Sequence, residues 1–360
     1  MSEITKPLAL EKKEMSVTYL HTMYSKNPTD SQLVDPQGRH INYLRLAVTD
    51  RCNFRCTYCM PEDGIDLKAR DDIMRFQEME HLLGLFLELG ITKVRITGGE
   101  PFVRKGLSEF LIRINQFDKL KSINLTTNAY FMEDAISLFQ KIKIDNINIS
   151  LDSLDREIFY KITRRDDFEK VWGNIEKLLL TDLAIKINMV VIKGVNDSEI
   201  VEFSELAKNN KVEIRFIEQM PFNGGCFSSD ILSAEEIIAI LQNAYPRMME
   251  YFKSSSTARI FEIPGFKGKL GVIAGHSRTF CSTCSRLRLT PEGILKTCLY
   301  DHGSVNLKDM LRSGRSDQEI KSAVKDAVSQ RAKDGFESEQ RALQKVHFSK
   351  KKLSMAQIGG

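Results

Sequence analysis

The 360-residue sequence is poor in cysteine, with only seven, and it has no marked excess of either charge. Seven is an odd number and far below the density of a disulfide-stabilised secreted domain. The 52 basic residues nearly balance the 48 acidic ones, so a net charge of +4 gives no reason to expect a nucleic-acid partner. An apolar fraction of 42% excludes intrinsic disorder of the whole chain and is sufficient for a large core.

Long apolar runs are also missing. No stretch of about 18 uncharged apolar residues occurs, so the sequence predicts no transmembrane helix and no membrane partner. The segment 1–32 lacks the apolar core of a signal peptide, and its acidic residues argue against a mitochondrial presequence. We therefore expect a cytoplasmic protein, and in that reducing compartment clustered cysteines indicate metal or redox chemistry more often than disulfides.

Strand and helix patterns alternate six times between residues 41 and 219, which predicts a parallel α/β architecture. The predicted strands are Ile41–Thr49, Ile91–Gly98, Ser122–Asn128, Asn146–Asp152, Ala184–Ile192 and Val212–Gln219. The predicted helices are Asp71–Leu89, Arg104–Asn115, Met132–Lys141, Phe168–Leu180 and Asp197–Lys208.

Each predicted strand has one apolar and one polar face, as in the first, where Leu44 and Leu46 alternate with Arg45 and Ala47. A complete eight-stranded barrel fills its interior with Val, Ile and Leu. A polar interior over six strands therefore predicts an incomplete (β/α)6 barrel with a wet ligand cavity. The alternative is an ordinary sheet with one solvated face, but five crossover helices are too many to leave a parallel sheet half bare.

We expect three regions: an N-terminal extension at 1–35, the partial barrel at 36–222 and a C-terminal region at 223–360. Within the last, Ser233–Asn243 is predicted as a helix capped by Ser233, followed by short strands over 251–273. A charged helix is predicted for Asp317–Lys333. Cys226 lies in a Gly/Ser-rich junction and matches no cluster pattern.

Cys52, Cys56 and Cys59 form a C-x3-C-x2-C motif directly after the first predicted strand, at the edge where sites of parallel α/β folds gather. Three thiolates suit a soft metal centre. Because a four-iron cluster normally takes one cysteine per iron, three cysteines leave one iron open for chemistry. A structural zinc with a remote fourth ligand is the alternative, although the uneven spacing does not resemble a zinc knuckle.

This motif, with Tyr58 before its last cysteine, resembles that of the radical S-adenosylmethionine (SAM) superfamily. The resemblance implies that SAM chelates the open iron and is cleaved to a 5′-deoxyadenosyl radical. The second predicted strand ends in Thr97-Gly98-Gly99-Glu100-Pro101, which resembles the superfamily's glycine-rich element that binds the SAM amino group. Glycines suit such an element because they allow close approach and expose backbone polar groups.

Cys281, Cys284 and Cys298 form a second trio, C-x2-C-x13-C, which is again one short of closing a cluster. His276 and His302 flank it and would complete a structural zinc site, and unligated core cysteines are a further alternative. We favour another four-iron cluster, with its open iron available to a substrate.

Arg286 and Arg288 stand one residue apart between these cysteines. On a strand their guanidinium groups point the same way, which suits a phosphate or another anion. A solvated charged face is the alternative, but the neighbouring cysteine trio favours an anion site.

Four segments together are similar to the GTP 3′,8-cyclase family of molybdenum-cofactor biosynthesis: 42–61, 215–221, 281–288 and the terminal Gly359-Gly360. The likeness runs from about Val34 to the last residue. It implies a lyase that converts GTP into 3′,8-cyclo-7,8-dihydro-GTP, the first step of the pathway, after the deoxyadenosyl radical removes the ribose C3′ hydrogen. It also implies two [4Fe-4S] clusters, SAM, a reductant, a downstream cyclic pyranopterin monophosphate synthase and a homodimer.

Three alternatives stay open at this point. One is another radical SAM enzyme with an auxiliary cluster, such as a peptide-modifying enzyme; the Arg286–Arg288 pair and the Gly-Gly end favour the cyclase. The others are an iron–sulfur electron carrier and a zinc-stabilised binding protein. In electron carriers, protein ligands bind every iron of the cluster, so two three-cysteine sites argue against an electron carrier.

The resemblance implies residue roles, position by position. The first cluster falls to Cys52, Cys56 and Cys59, and the second to Cys281, Cys284 and Cys298. Contacts to SAM fall to Tyr58, Gly99, Ser150 and Met220. Contacts to GTP fall to Arg45, Arg95, Thr126, Lys186, Arg286 and Arg288. A part in catalysis falls to Arg45, Gly359 and Gly360, although such tails are more usually frayed termini.

Strand alternation supports five of these assignments independently. The residues on the polar, inward-facing set are Arg45, Arg95, Thr126, Ser150 and Lys186. A cationic cavity is what a triphosphate requires. Met220 is one residue off that alternation, so its contact with SAM depends on the resemblance alone.

Overall fold

The computed structural model describes residues 32–220, 222, 230–251, 256–345 and 354–359. Most of the predicted N-terminal extension, Cys226 and Gly360 lie outside these residues. The described strands are β1 Tyr43–Ala47, β2 Lys93–Thr97, β3 Ser122–Thr127, β4 Asn146–Ser150, β5 Ile185–Val191, β6 Val212–Glu218, β7 Met249–Tyr251, β8 Arg259–Glu262, β9 Lys269–Ile273, β10 Arg286–Leu289, β11 Ile294–Lys296 and β12 Val305–Asn306.

Helices connect and cover these strands. The described α-helices are α1 Phe76–Glu88, α2 Leu107–Ile114, α3 Glu133–Phe139, α4 Arg156–Thr163, α5 Phe168–Leu179, α6 Ile200–Asn209, α7 Ala234–Ala244, α8 Leu307–Arg312, α9 Asp317–Ser329, α10 Gly335–Lys345 and α11 Met355–Ile358. None of the helices in the described ranges has the length and apolar composition needed to cross a membrane.

The six predicted strands are confirmed as a parallel set in which β1 to β6 are neighbours in chain order. Burial alternates along the whole length of β5 and β6, as predicted, whereas four of the five residues of β2 are buried. Leu44, Ile187 and Ile214 on the apolar face are fully buried in the core. The polar face of the same strands is therefore available to a cavity on the other side of the sheet.

Several helices differ from the predictions: the predicted helix Arg104–Asn115 begins only at Leu107, the predicted helix Asp317–Lys333 ends at Ser329, and α8, α10 and α11 were not predicted. The predicted helix Asp71–Leu89 begins only at Phe76, after a separate 3-10 turn at Arg70–Asp72. The break occurs because the Met74 amide donates to the Pro291 carbonyl oxygen, which takes this residue out of any helix. Helix α4 was not predicted, although Asp155 caps it by accepting a hydrogen bond from the Ile158 amide.

Strands from the C-terminal region extend both edges of the six-stranded set. On one edge β10 pairs parallel with β1, in a register that places Arg288 beside Arg45. On the other edge β9 pairs parallel with β6. The predicted capping of α7 by Ser233 is confirmed. Pairing of β10 with β1 brings the second cysteine trio next to the strand that precedes the first trio.

Candidate active site

One cavity of about 300 Å³ lies at the carboxyl ends of the parallel strands and meets both cysteine trios. The predicted site residues that line it are Arg45, Cys52, Cys56, Tyr58, Cys59, Gly99, Thr126, Ser150, Met220, Cys281, Cys284, Arg286, Arg288 and Cys298. Met220 thus reaches the cavity despite its position off the alternation, because β6 ends at Glu218 and the chain has left the strand.

The first trio is held on a loop whose backbone is fastened to α4. The amides of Arg55 and Thr57 donate to the carbonyl oxygens of Thr163 and Ile162, at 3.0 and 2.9 Å. Arg164, which directly follows the helix in a left-handed conformation (φ 55°), donates to the carbonyl oxygen of Arg55 at 2.8 Å. These contacts fix the path of the loop and hence the positions of its sulfur atoms.

Further arginines hold the same loop. Arg55 donates to the carbonyl oxygen of Cys52 at 2.7 Å, and Arg165 donates to that of Asn53 at 3.0 Å. The hydroxyl of Tyr58 donates to Asp152 at 2.8 Å. Burial raises the pKa of Asp152 to about 6. These contacts hold the loop through its backbone and Tyr58, and Cys52, Cys56 and Cys59 all line the cavity.

The first trio fits an iron–sulfur cluster by the chemistry of its donors. Burial, followed by the charge of Glu100, raises the pKa of Cys52 to about 12, and burial raises the pKa of Cys56 well above its usual value. Soft cations favour thiolate ligands and displace their protons on binding. Across the described residues, no three Cys, His, Asp or Glu side chains are arranged to hold one metal ion. A cluster in which each cysteine binds a different iron does not need that convergence, whereas a mononuclear zinc does.

The glycine pair after β2 fits against the cysteine loop. A Cβ atom on Gly99 would lie 2.3 Å from the carbonyl oxygen of Arg51, and one on Gly98 would lie 2.5 Å from that of Thr49. The Gly99 amide donates to the Thr49 carbonyl oxygen at 2.8 Å, and the Glu100 amide donates to that of Arg51 at 2.9 Å. Glycine is thus required here because the segment after β2 approaches the cysteine loop closely.

The second trio lies around β10 and β11. Cys281 begins a single 3-10 turn, Cys284 directly follows that turn, and Cys298 follows β11. The carboxylate of Asp301 accepts from the Cys298 amide at 2.8 Å and so fixes that loop. Arg331 donates to the Cys284 sulfur at 3.1 Å. Although burial alone would raise it, the guanidinium groups of Arg286 and Arg331 bring the pKa of Cys284 down to about 6. A sulfur held among cations is a fitting ligand for a metal cluster.

Three arginines from two adjacent strands meet in the cavity. Arg45 and Arg288 are register partners, Arg288 buried and Arg45 half-buried, and the half-buried Arg286 lies on the same face of β10. Burial, together with the charge of Arg286, lowers the pKa of Arg288 to about 10. Burial and the charge of Arg288 lower that of Arg45. Buried cations that repel one another gain stability from an anion placed between them.

Arg95 and Lys186 have the predicted strand alternation but do not line this cavity. Arg95 donates to the Tyr43 hydroxyl, to the Leu125 carbonyl oxygen and to Asn146, at 2.6–2.7 Å. Lys186 is 2.9 Å from Glu213. Both side chains are on the predicted side of the sheet and are engaged by protein partners there.

The C-terminal segment 354–359 reaches the site, and Gly360 lies outside the described residues. Ser354 donates to the Cys59 carbonyl oxygen at 2.6 Å, and Met355 and Ala356 line the cavity. The carbonyl oxygen of Gly359 accepts from Arg288 at 2.6 Å. Gly359 has φ +84°, and a Cβ there would lie 2.7 Å from Ala47. The segment is therefore packed against the site.

Sequence reasoning missed several cavity residues. Asn148, Asn188 and Arg215 line the cavity and belong to the polar face of their strands, which was the signal that could have found them. The side-chain oxygens of Asn148 and Asn188 are buried and have no hydrogen-bond partner among the described residues. They are placed to accept hydrogen bonds from a ligand.

Comparisons with known proteins agree with this geometry. Residues 46–207 match the model of the Radical SAM superfamily, and residues 212–337 match the Molybdenum Cofactor Synthesis C model. A Clostridium botulinum GTP 3′,8-cyclase is 39% identical over 331 residues, covering 91% of this chain and all of that protein. Molybdenum cofactor biosynthesis protein 1 of Dictyostelium discoideum is 40% identical over 302 residues, or 82% of this chain.

This chain covers 48% of that Dictyostelium protein, about half its length. Among solved structures, Streptococcus suis SuiB bound to S-adenosylmethionine matches with a TM-score of 0.55 at 13% identity, covering 79% of this chain and 69% of SuiB. At that identity the likeness concerns the fold alone. Together with the two family matches, this likeness confirms an α/β radical SAM fold with a C-terminal extension.

Proposed function

This chain belongs to the GTP 3′,8-cyclase family of radical SAM enzymes, and on that premise we propose that it converts GTP into 3′,8-cyclo-7,8-dihydro-GTP, the first step of molybdenum-cofactor biosynthesis. The observation that carries the proposal is one cavity that both cysteine trios line, with Arg45, Arg286 and Arg288 on its wall. Such a cavity accommodates a cofactor at one trio and an anionic substrate at the other.

The first trio is assigned to the [4Fe-4S] cluster of the superfamily, with Cys52, Cys56 and Cys59 as ligands. When bound, this cluster and SAM supply the 5′-deoxyadenosyl radical that removes the C3′ hydrogen of the ribose. Tyr58, Gly99, Ser150 and Met220 line the cavity around this trio and are assigned to SAM. The segment 354–359 partly encloses the cavity, and this segment keeps water away from the reacting atoms.

The second trio is assigned to a second [4Fe-4S] cluster, held by Cys281, Cys284 and Cys298, that receives the guanine of GTP. Arg45, Arg286 and Arg288 are assigned to the triphosphate, because their mutual repulsion is relieved by a polyanion. Thr126 lines the same cavity. Arg95 and Lys186 are assigned to GTP with their present partners, Tyr43 and Glu213, exchanged for ligand atoms.

Catalytic roles are proposed for Arg45 and the C-terminal glycines. Arg288 connects the carbonyl oxygen of Gly359 to the triphosphate-binding wall, so the tail can position the nucleotide. The proposal further includes a reductant, a downstream cyclic pyranopterin monophosphate synthase, a homodimer and a cytoplasmic location. The region boundaries at 35 and 222 are proposed unchanged. Peptide modification is not supported, since both region matches and the relatives named above fit the cyclase.

The test is anaerobic incubation of the reconstituted protein with GTP, SAM and a reductant, followed by mass spectrometry. We expect 5′-deoxyadenosine and cyclised GTP in equal amounts, both absent from a Cys52→Ala control. Formation of 5′-deoxyadenosine that is independent of GTP, without cyclised GTP, would leave radical SAM chemistry and defeat the substrate assignment.

A further inference from the structure

Arg331 is a buried arginine outside the cavity that none of the assignments above uses. It lies between α9 and α10 and is 4% exposed. One nitrogen, Nη2, donates to the Cys284 sulfur at 3.1 Å. The other two fasten the backbone around the trio: Nη1 donates to the Cys284 carbonyl oxygen at 2.9 Å and Nε to that of Thr297 at 3.0 Å.

A buried carboxylate holds this guanidinium in place. Asp35 has a fully buried side chain, and its Oδ2 accepts from Arg331 at 3.1 Å and from Arg39 at 2.5 Å. One carboxylate between two guanidiniums leaves one net positive charge beside the second trio. Because the group is enclosed by protein, solvent screens this charge little.

Arg39 offers a natural comparison within the same network. It is buried as well, shares Asp35, and donates to the carbonyl oxygens of Cys281 and Ala332, both at 2.8 Å. All its hydrogen bonds to described residues go to oxygen atoms, in contrast to the bond from Arg331 to sulfur. Both arginines therefore hold the backbone around the second trio. Of the two, Arg331 alone donates to the sulfur of a proposed cluster ligand.

We propose that Arg331 is a positioning residue for the second cluster, which raises the cluster's reduction potential through a charge-assisted N–H···S hydrogen bond to Cys284. The inference rests on the proposed function, which assigns a cluster to this trio. Hydrogen bonds and positive charge at a ligating sulfur withdraw electron density from the metal and favour its reduced form. Arg331 does not line the cavity, so it contacts the Cys284 sulfur from the protein interior and does not occupy the space for the substrate.

The experiment isolates the second cluster in a full-length background with Cys52, Cys56 and Cys59 all replaced by alanine. After anaerobic reconstitution, iron content and an EPR-monitored redox titration are measured for this background and for added Arg331→Met, Arg331→Lys or Arg39→Met. We expect about four irons per chain. We also expect a midpoint potential that is lowered most in Arg331→Met. It should be lowered less in Arg331→Lys, which keeps the charge, and less in Arg39→Met, which removes a charge of the same group and leaves the N–H···S bond in place.

An unchanged potential in Arg331→Met, or an equal shift in Arg39→Met, would overturn the proposal. If Arg331→Met binds no iron, the result for Arg331→Lys decides. A lowered potential in Arg331→Lys supports the proposal. If Arg331→Lys binds no iron or has an unchanged potential, the role of Arg331 is structural only. If the background itself binds no iron, the second cluster of the proposed function is wrong and the inference falls with it. A bound second cluster whose potential does not respond to Arg331→Met would leave the proposed function standing without this inference.

Discussion

Replacing Gly99 by alanine tests whether the glycine pair is needed for contact between protein segments. The added Cβ would lie 2.3 Å from the Arg51 carbonyl oxygen, 2.6 Å from its carbon and 3.1 Å from the Cys52 Cβ. Favourable separations between such atoms are about 3.5–4.0 Å. Two of these neighbours are backbone atoms that directly precede a cluster ligand, so relief requires movement of the cysteine loop.

Overpacking in a close-packed region typically costs about 1–3 kcal/mol. We place Gly99→Ala at the upper end, at about 3 kcal/mol, because none of these neighbours is the flexible end of a side chain. The variant should unfold at a temperature several degrees lower, and it should lose the first cluster and keep the second. Anaerobic iron analysis then gives about four irons in place of about eight.

Gly173→Ala is the matched control. Gly173 lies inside α5, and nothing is within 4 Å of a Cβ built there. Alanine in a helix interior is favoured over glycine by about 0.5–1 kcal/mol, so this variant should be as stable as the wild type or slightly more stable. If Gly99→Ala retains both the wild-type unfolding temperature and all its iron, the steric reasoning is wrong.

Three further predictions concern the arginines, a buried carboxyl and the tail. Arg286→Ala should weaken GTP binding about 10- to 100-fold, as the loss of a charge-assisted contact does, while iron analysis finds both clusters; loss of the second cluster's absorbance would make the arginine structural. Burial raises the pKa of Glu100 from 4.5 to about 7, so the folded protein binds a proton there more tightly than the unfolded chain does. The protonated carboxyl therefore contributes stability that is fully present below about pH 4.5 and is lost as the pH rises through 7. The cluster-free wild type should therefore lose more stability than Glu100→Gln between pH 5 and 8 in thermal unfolding, and parallel profiles would contradict this. Gly359→Ala should lower kcat with unchanged iron content, because the left-handed φ and the contact with Ala47 displace the carbonyl oxygen from Arg288; unchanged turnover would remove the tail from the mechanism.

The sequence predicted which face of the sheet each site residue lies on better than it predicted which groups its side chain contacts. Alternation placed Arg45, Thr126 and Ser150 correctly in the cavity wall. Arg95 and Lys186 have the same alternation, yet polar neighbours engage them. A period of two decides which face a side chain leaves from, and the neighbouring strands decide what it meets.

Long-range pairing was beyond the reach of the sequence. Nothing local indicates that β10 lies parallel to β1, although that register alone brings Arg288 beside Arg45. Arg331 lies just past a charged helix, where an arginine normally faces solvent. Only the tertiary structure places it against the Cys284 sulfur.

The central claim is that each trio binds its own cluster and that the two clusters take different ligands in one cavity. EPR spectroscopy of two full-length variants tests it directly: one with Cys52, Cys56 and Cys59 replaced by alanine, the other with Cys281, Cys284 and Cys298 replaced. The account predicts that GTP changes the reduced-cluster spectrum only in the first variant, and that SAM does so only in the second. A spectrum of the first variant that GTP leaves unchanged, or a first variant without iron, would contradict it.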